Sequence, residues 1–246
     1  MRELHYLKKI HEVIETDVLV VGGGPAGFAA GVAAARNGAK TLVLERAGML
    51  GGMATAGLVG PFMTCYDNDG EEQIVKGIFD ELCRRTEARG GAIHPSKVEG
   101  LTSYSSYYWA SHRHVTPYQS EILAVVMDEM LLEAGVKILY NHRIADSITQ
   151  NNKVTGVVVS TKQGLKVIKG RQFVDCTGDG DVAYFSGAEY EIGDELQPGT
   201  LRFYPTGYDV KDIKRESVIE SLRQAIQKGE VKREDFWSGV DQAHSA

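Results

Sequence analysis

The stretch DVLVVGGGPAGFAAGVAAARNGAKTLVLER, residues 17–46, decides the fold. It opens with a continuous apolar run, which is typical of a strand buried on both faces of a parallel sheet. Glycines follow at the spacing G-x-G-x-x-G, and a run of small residues then predicts a helix that ends near Gly38. Because residues 39–46 supply a second strand, the stretch predicts an α/β domain built on a parallel sheet.

Each glycine of the turn has a physical role. Gly22 permits a tight turn at the end of the strand, Gly24 lets the backbone approach a pyrophosphate, and Gly27 allows the helix to pack close to the strand. Pro25 and Ala26 begin the helix, whose free N–H groups and positive dipole end favour phosphate. This arrangement predicts a Rossmann-like domain that binds an adenine dinucleotide.

Glu45 lies at the end of the second strand, about twenty residues beyond the first glycine, where the dinucleotide fingerprint requires an acid. Its carboxylate can accept hydrogen bonds from both ribose hydroxyls of the adenosine and would repel a 2′-phosphate. Arg46 could pair with such a phosphate, although we expect it to lie along the adenine or the phosphates. The alternative for the whole stretch is a glycine-rich turn that binds no ligand.

The composition narrows the class of protein. The 246 residues are 43% hydrophobic and 24% charged, as in ordinary globular domains. A net charge of −6 without a basic stripe argues against nucleic acid and anionic membranes as partners.

No apolar run is long enough to span a membrane, and the first residues lack the apolar core of a signal peptide. The three cysteines are widely spaced, which argues against a disulfide framework or a zinc site and favours the cytoplasm; no metal is expected.

Two later features distinguish FAD from NAD. A second glycine pair, Gly51 and Gly52, follows the second strand, where a simple NAD domain needs none. Residues 136–175 contain three extended segments separated by turn-forming residues, which predicts a β-meander instead of a crossover helix. The sequence QFVDCTGDGD, residues 172–181, then predicts another buried strand, a sharp turn and a helix over residues 181–186.

The blocks GGGPAG, ER, GG and DCTGDGDV together resemble the N-terminal part of the FAD-dependent oxidoreductases of the glutathione-reductase-like superfamily. The resemblance implies a three-layer FAD/NAD(P)-binding fold, FAD as the cofactor, and flavin-mediated hydride transfer on a small molecule. It names no catalytic side chain, since the flavin carries the chemistry. The cofactor contacts that it implies are Gly22, Gly24, Pro25, Ala26, Gly27, Glu45, Arg46, Gly51, Gly52, Met53, Ile144, Thr177, Gly178 and Asp179.

The same resemblance implies a division of the chain. Residues 1–200 would form the FAD-binding domain, with an aromatic insertion at about 91–116, and residues 201–246 the beginning of a truncated substrate domain. The insertion carries Arg113 between two histidines, and would be either a cap over the substrate or an ordinary aromatic hairpin. Apolar residues at helical spacing predict helices over residues 72–89 and 117–134.

Two other functions remain open. Thiazole-synthesis enzymes have a similar opening sequence and bind an adenine dinucleotide derived from NAD as substrate. A nucleotide-binding fragment without turnover is the non-enzymatic alternative. The oligomeric state is not predicted.

Overall fold

A computed structural model of the chain describes residues 9–10, 13–63, 65–98, 114–194, 196, 199, 207 and 214–232. The chain divides into two compact units, Met1–Arg202 and Phe203–Ala246. In the described part of the second unit, the chain forms one helix, α5 (Arg215–Gln227). No helix among the residues described here has both the length and the apolar character that crossing a bilayer requires.

The first unit is a six-stranded sheet with helices, as the sequence predicts. Its strands are β1 (Val13–Val21), β2 (Thr41–Leu44), β3 (Lys137–Leu139), β4 (Arg143–Gln150), β5 (Lys153–Thr161) and β6 (Gly164–Asp175). Its helices are α1 (Pro25–Arg36), α2 (Ile78–Ala88), α3 (Ser120–Glu133) and α4 (Asp181–Ser186). The strand order is β3-β2-β1-β6-β5-β4. The first four strands in this order are parallel, and β5 and β4 complete an antiparallel meander on β6.

Strand β1 is buried on both faces, which explains its unbroken apolar sequence. Val20 is fully buried and packs into a cluster with the apolar sides of α1, α2 and α3. Its neighbours Leu19 and Val21 point to the opposite face and pack with residues of the meander and α4. The parallel part of the sheet therefore lies between a helical layer and a layer formed by the antiparallel strands β4 and β5 with α4, so the predicted three-layer α/β fold is confirmed.

The meander is present, but the strand after it is not separate. Phe173 and Val174, predicted as a further strand, belong to the same twelve-residue strand as Val167. The nine residues of β1 pair with β6 over almost their whole length, from Val13 opposite Val167 to Val21 opposite Asp175. This continuous parallel ladder holds the two segments in one strand.

The structure corrects the predicted start of one helix. Helix α2 begins at Ile78, not at residue 72, because Asp67 accepts hydrogen bonds from the backbone N–H groups of Glu71 and Glu72 and folds that segment into a turn. Ile74, expected on the buried helix face, therefore lies outside the helix with 63% of its surface exposed. The helix predicted over residues 117–134 forms as α3, although it begins only at Ser120, and its apolar stripe packs on the sheet.

Candidate functional site

The carboxyl ends of β1 and β6 form the edge of the sheet at which the predicted site residues meet. These two strands are parallel neighbours, with Val21 opposite Asp175. The chain leaves β1 into α1 on one face of the sheet, whereas it leaves β6 into α4, which packs on the other face through Val182. Parallel sheets bind ligands in the crevice that opens where neighbouring strands lead in opposite directions. The fold therefore puts these two strand ends at the position where a ligand-binding crevice is expected.

Two loops with predicted cofactor contacts, residues 22–27 and 176–180, touch each other at these strand ends and are the two proposed phosphate loops. Gly22 has a positive φ of 104°, and a Cβ placed on it would lie 2.1 Å from the carbonyl oxygen of Cys176 and 2.9 Å from the nitrogen of Thr177. The N–H of Cys176 also donates to the carbonyl of Val21 at 2.8 Å. Only glycine fits at position 22, because the backbone of the second loop occupies the space that a side chain would need.

Gly24 and Gly27 are glycines for different reasons. A Cβ on Gly27 would lie 1.8 Å from the carbonyl oxygen of Gly22, so close packing of α1 on β1 requires glycine there. Gly24 has no protein atom within 4 Å of its Cβ position, and its φ of −68° suits any residue. Since neither the backbone nor the packing requires glycine at position 24, this residue leaves room for a ligand directly before Pro25 and Ala26, which are exposed at the start of α1.

The second glycine pair lies against the first glycine loop. The N–H of Gly51 donates to the carbonyl of Gly23 at 2.8 Å, and a Cβ on Gly52 would lie 3.3 Å from the Cα of Gly24. Met53 follows with 64% of its surface exposed. The structure thus places residues 51–53 beside the turn that precedes α1.

Glu45 is buried at the end of β2 and is tied to the same turn. One carboxylate oxygen accepts a hydrogen bond from the N–H of Gly23 at 2.8 Å, and the other accepts one from Ala47 at 2.7 Å. Arg46 beside it is exposed. The N–H of His142 donates to the carbonyl of Glu45 at 3.0 Å, so the beginning of β4, where Ile144 is buried, lies next to the end of β2.

The loop after β6 is built on glycines with left-handed backbone conformations. Gly178 has a φ of 90° and Gly180 a φ of 72°. Thr177 is half-buried and Asp179 is exposed. The fold as a whole thus brings all fourteen predicted contact residues close to the ends of β1, β2 and β6 or to the start of β4. The contacts that each makes with a cofactor remain predictions.

Three side chains of chemically reactive types are buried as part of the structure. Cys65 and Cys83 are each only 2% exposed, and burial raises the pKa of the Cys83 thiol to about 12. His114, at the end of the aromatic insertion, is buried and stacks on Tyr66 with 4.0 Å between ring centroids. Residues 99–113 of that insertion, which include Arg113, lie outside the described residues. Within the described ranges, no group of three His, Cys, Asp or Glu side chains is arranged to hold a metal ion.

Sequence reasoning missed three residues that shape the site. Gly23 cannot carry a side chain, because a Cβ would lie 2.5 Å from Leu50 and 2.9 Å from the Glu45 carboxylate. Ala47 supplies the second N–H that Glu45 binds. Asp175 accepts hydrogen bonds from the loop after β6. The three consecutive glycines were a signal for Gly23, whereas nothing local in the sequence marks Ala47.

Comparison with known proteins gives relatives of this chain. The sequence profile of the FAD dependent oxidoreductase family matches residues 17–243. A thiamine thiazole synthase of Methanococcus vannielii is 30% identical over 175 residues, covering 68% of this chain and 58% of that protein. The thiamine thiazole synthase of Methanothermobacter thermautotrophicus is 25% identical over 227 residues, covering 89% of this chain and 77% of that protein.

Solved structures share the fold. A geranylgeranyl bacteriochlorophyll reductase-like protein of Thermoplasma acidophilum matches with a TM-score of 0.51 and 18% identity, over 72% of this chain and 43% of that one. The present chain thus spans 58% of the Methanococcus vannielii relative and less than half of this structural neighbour. The family profile matches nearly the whole chain, including the glycine turn and the loop after β6. The chain therefore belongs to the FAD dependent oxidoreductase family, whose cofactor is FAD.

Proposed function

We propose that this chain binds FAD in the crevice between β1 and β6 and takes part in a flavin-dependent oxidation or reduction of a small molecule. The observation that carries the proposal is the contact between Gly22 and the loop of Cys176 and Thr177, next to the open space at Gly24. A ligand with a diphosphate fits there, because two backbone loops with glycines converge on one place at the strand ends.

Different residues would bind different parts of the cofactor. Glu45 would accept hydrogen bonds from the adenosine ribose, with Arg46 and the backbone at Ile144 beside the adenine. The turn of residues 22–27 would hold the diphosphate. Residues 51–53 and 177–179 would hold it as well, and the loop that contains residues 177–179 is in contact with Gly22. The negative charge of Glu45 favours a ribose without a 2′-phosphate, which agrees with FAD.

When bound, the cofactor would supply hydride chemistry, since oxidised flavin can accept a hydride from a reduced substrate and reduced flavin can donate one to an oxidised substrate. The chain's own contribution is to bind the dinucleotide in one orientation and to supply N–H groups and a helix N-terminus to its phosphates. No side chain is assigned a catalytic role.

The proposal extends to the protein as a whole. We propose that residues 1–200 form the FAD-binding part and residues 201–246 the beginning of a substrate domain, as in longer members of the glutathione-reductase-like superfamily. The division of the chain into the compact units Met1–Arg202 and Phe203–Ala246 supports this boundary. We also propose a cytoplasmic location, supported by three cysteines without disulfides, and no nucleic-acid partner, supported by the net charge of −6.

The cofactor can be tested directly. The purified chain is denatured and the visible spectrum of the released ligand is recorded, and apoprotein is then titrated with FAD. We expect a flavin spectrum or saturable binding of added FAD. If no flavin is released and none binds, the oxidoreductase function is wrong.

A second candidate is thiazole synthesis, because the curated relatives named above are thiamine thiazole synthases at 25–30% identity. In that case mass spectrometry of the released ligand would find an adenine dinucleotide derived from NAD instead of flavin. If the chain binds FAD but no electron donor reduces the bound flavin, the non-enzymatic alternative, a nucleotide-binding fragment without turnover, is favoured.

A further inference from the structure

Asp175, the last residue of β6, holds the loop that follows it. One carboxylate oxygen accepts hydrogen bonds from the backbone N–H of Thr177 at 3.1 Å and from its hydroxyl at 2.8 Å. The other oxygen accepts one from the N–H of Ala183 at 3.0 Å. The Thr177 hydroxyl oxygen in turn accepts the N–H of Asp181 at 2.8 Å. Three hydrogen bonds thus connect the strand end to the loop and to the first turn of α4, and a fourth connects the loop to the same turn.

The loop depends on these hydrogen bonds for a fixed conformation, because its glycines make the backbone flexible. Gly178 and Gly180 both have positive φ, and glycine loses more conformational freedom on ordering than other residues. The same loop packs on Gly22, in the first phosphate turn. Any change in its path therefore changes the crevice on which both loops converge.

We propose that Asp175 is a positioning residue for the dinucleotide: its carboxylate pre-organises residues 177–180 for the diphosphate. This inference rests on the proposed function. The charge of Asp175 is unfavourable for a nearby anion, so electrostatics and positioning predict opposite results when the charge is removed. When Asp175 loses its charge, electrostatics alone predicts tighter binding of the dinucleotide, whereas the loss of positioning predicts weaker binding.

The test compares the full-length chain with Asp175→Asn. The amide oxygen of asparagine can still accept from Thr177, but its NH₂ group faces the N–H of Ala183 and cannot accept from it. We expect the Kd for FAD, measured by quenching of flavin fluorescence, to rise roughly tenfold or more. Because Asp175 is exposed, the melting temperature of the apoprotein should change little. Calorimetric titration with NAD serves as the second probe.

Control variants separate charge from positioning. Glu189→Gln removes one negative charge from an exposed position beyond α4 and should leave the Kd unchanged or slightly lower. Thr177→Val loses the hydroxyl that donates to Asp175 and should bind FAD more weakly than Thr177→Ser, which keeps it. Hydrogen exchange of the apoprotein should show faster exchange of amides 177–183 in Asp175→Asn.

The outcomes are distinguishable. If the wild type binds FAD or NAD and Asp175→Asn binds it equally well or more tightly, the positioning role is wrong and the proposed function survives. Unchanged amide exchange in residues 177–183 would also overturn the positioning role. If the wild type binds neither probe, the proposed function and this inference both fall. Should Asp175→Asn not fold, equal binding by Thr177→Ser and Thr177→Val would refute the inference.

Discussion

The carboxylate of Glu45 accepts a hydrogen bond from the backbone N–H of Gly23 across 2.8 Å, in a buried position at the end of β2. Its other oxygen accepts the N–H of Ala47. Each carboxylate oxygen has a second lone pair, so the side chain can hold the glycine turn and still accept from a ribose hydroxyl. Glu45 thereby connects the shape of the phosphate turn to the adenosine end of the proposed site.

Glu45→Ala should affect both folding and binding. The substitution leaves two N–H groups without their acceptor, so we expect the free energy of unfolding to fall by roughly 1–3 kcal/mol. Binding of the adenosine part should weaken by roughly 1–3 kcal/mol, because the ribose hydroxyls lose their partner. Urea denaturation and calorimetric titration with ADP measure the two effects, with Glu45→Gln as an intermediate control. Unchanged affinity for ADP would remove Glu45 from ribose binding.

Alanine substitutions at Gly24 and Gly27 should have opposite consequences. A methyl group on Gly24 meets no protein atom within 4 Å, so the variant should unfold at nearly the wild-type temperature. Because that methyl would occupy space proposed for the diphosphate, we expect the Kd for FAD to rise roughly tenfold, about 1.4 kcal/mol. Thermal unfolding and FAD titration check both statements.

Gly27→Ala is the matched comparison. Its methyl group would collide with the carbonyl of Gly22 at 1.8 Å, so α1 must move away from β1. We expect a loss of roughly 1–3 kcal/mol in the free energy of unfolding, as in overpacked cores. A Gly24→Ala variant that binds FAD like the wild type would contradict the proposed ligand position.

The stability of the protein should depend on the ionisation of Asp80. Burial alone would raise the pKa of this carboxyl. Hydrogen bonds from Arg84, His94 and Gln73 outweigh that effect and lower the pKa to about 2. Since the unfolded value is about 3.9, the ionised carboxyl stabilises the fold above about pH 5, and this stabilisation is lost as the pH falls through 4 towards 2.

Asp80→Asn tests this dependence. We expect the variant to be less stable than the wild type by on the order of 1–2 kcal/mol at pH 6, with the difference shrinking near pH 2.5. Urea denaturation at the two pH values measures it. A difference that stays constant between them would show that the charge of Asp80 does not contribute.

The three cysteines should differ in reactivity. Burial raises the pKa of Cys83 to about 12, and Cys65 is equally inaccessible, whereas Cys176 is half-buried between the two phosphate loops. We expect iodoacetamide at pH 8 to modify Cys176 first in the native protein and all three in urea. FAD should slow the modification of Cys176. Mass spectrometry of the alkylated peptides identifies the sites, and early labelling of Cys83 would contradict its burial.

Some of the fold follows from short stretches of sequence. Strand β1 and helix α1 are predictable because burial on both faces and glycine spacing are local patterns. Helix α4 matches its predicted bounds, since Gly180 and Gly187, with φ of 72° and 79°, mark its two ends. The start of α2 was not predictable, because a turn around Asp67 competes with the helix.

The sequence by itself determined the glycine turn, the acid at position 45 and the family of the chain, because each depends on residue types at short spacing. Only the tertiary structure decided that β6 is one continuous strand and that Gly22 touches Cys176. It also decided that Glu45 and Asp175 hold the two loops. The physical reason is that the parallel pairing of β1 with β6 joins segments about 150 residues apart, and no local pattern encodes which strand ends become neighbours.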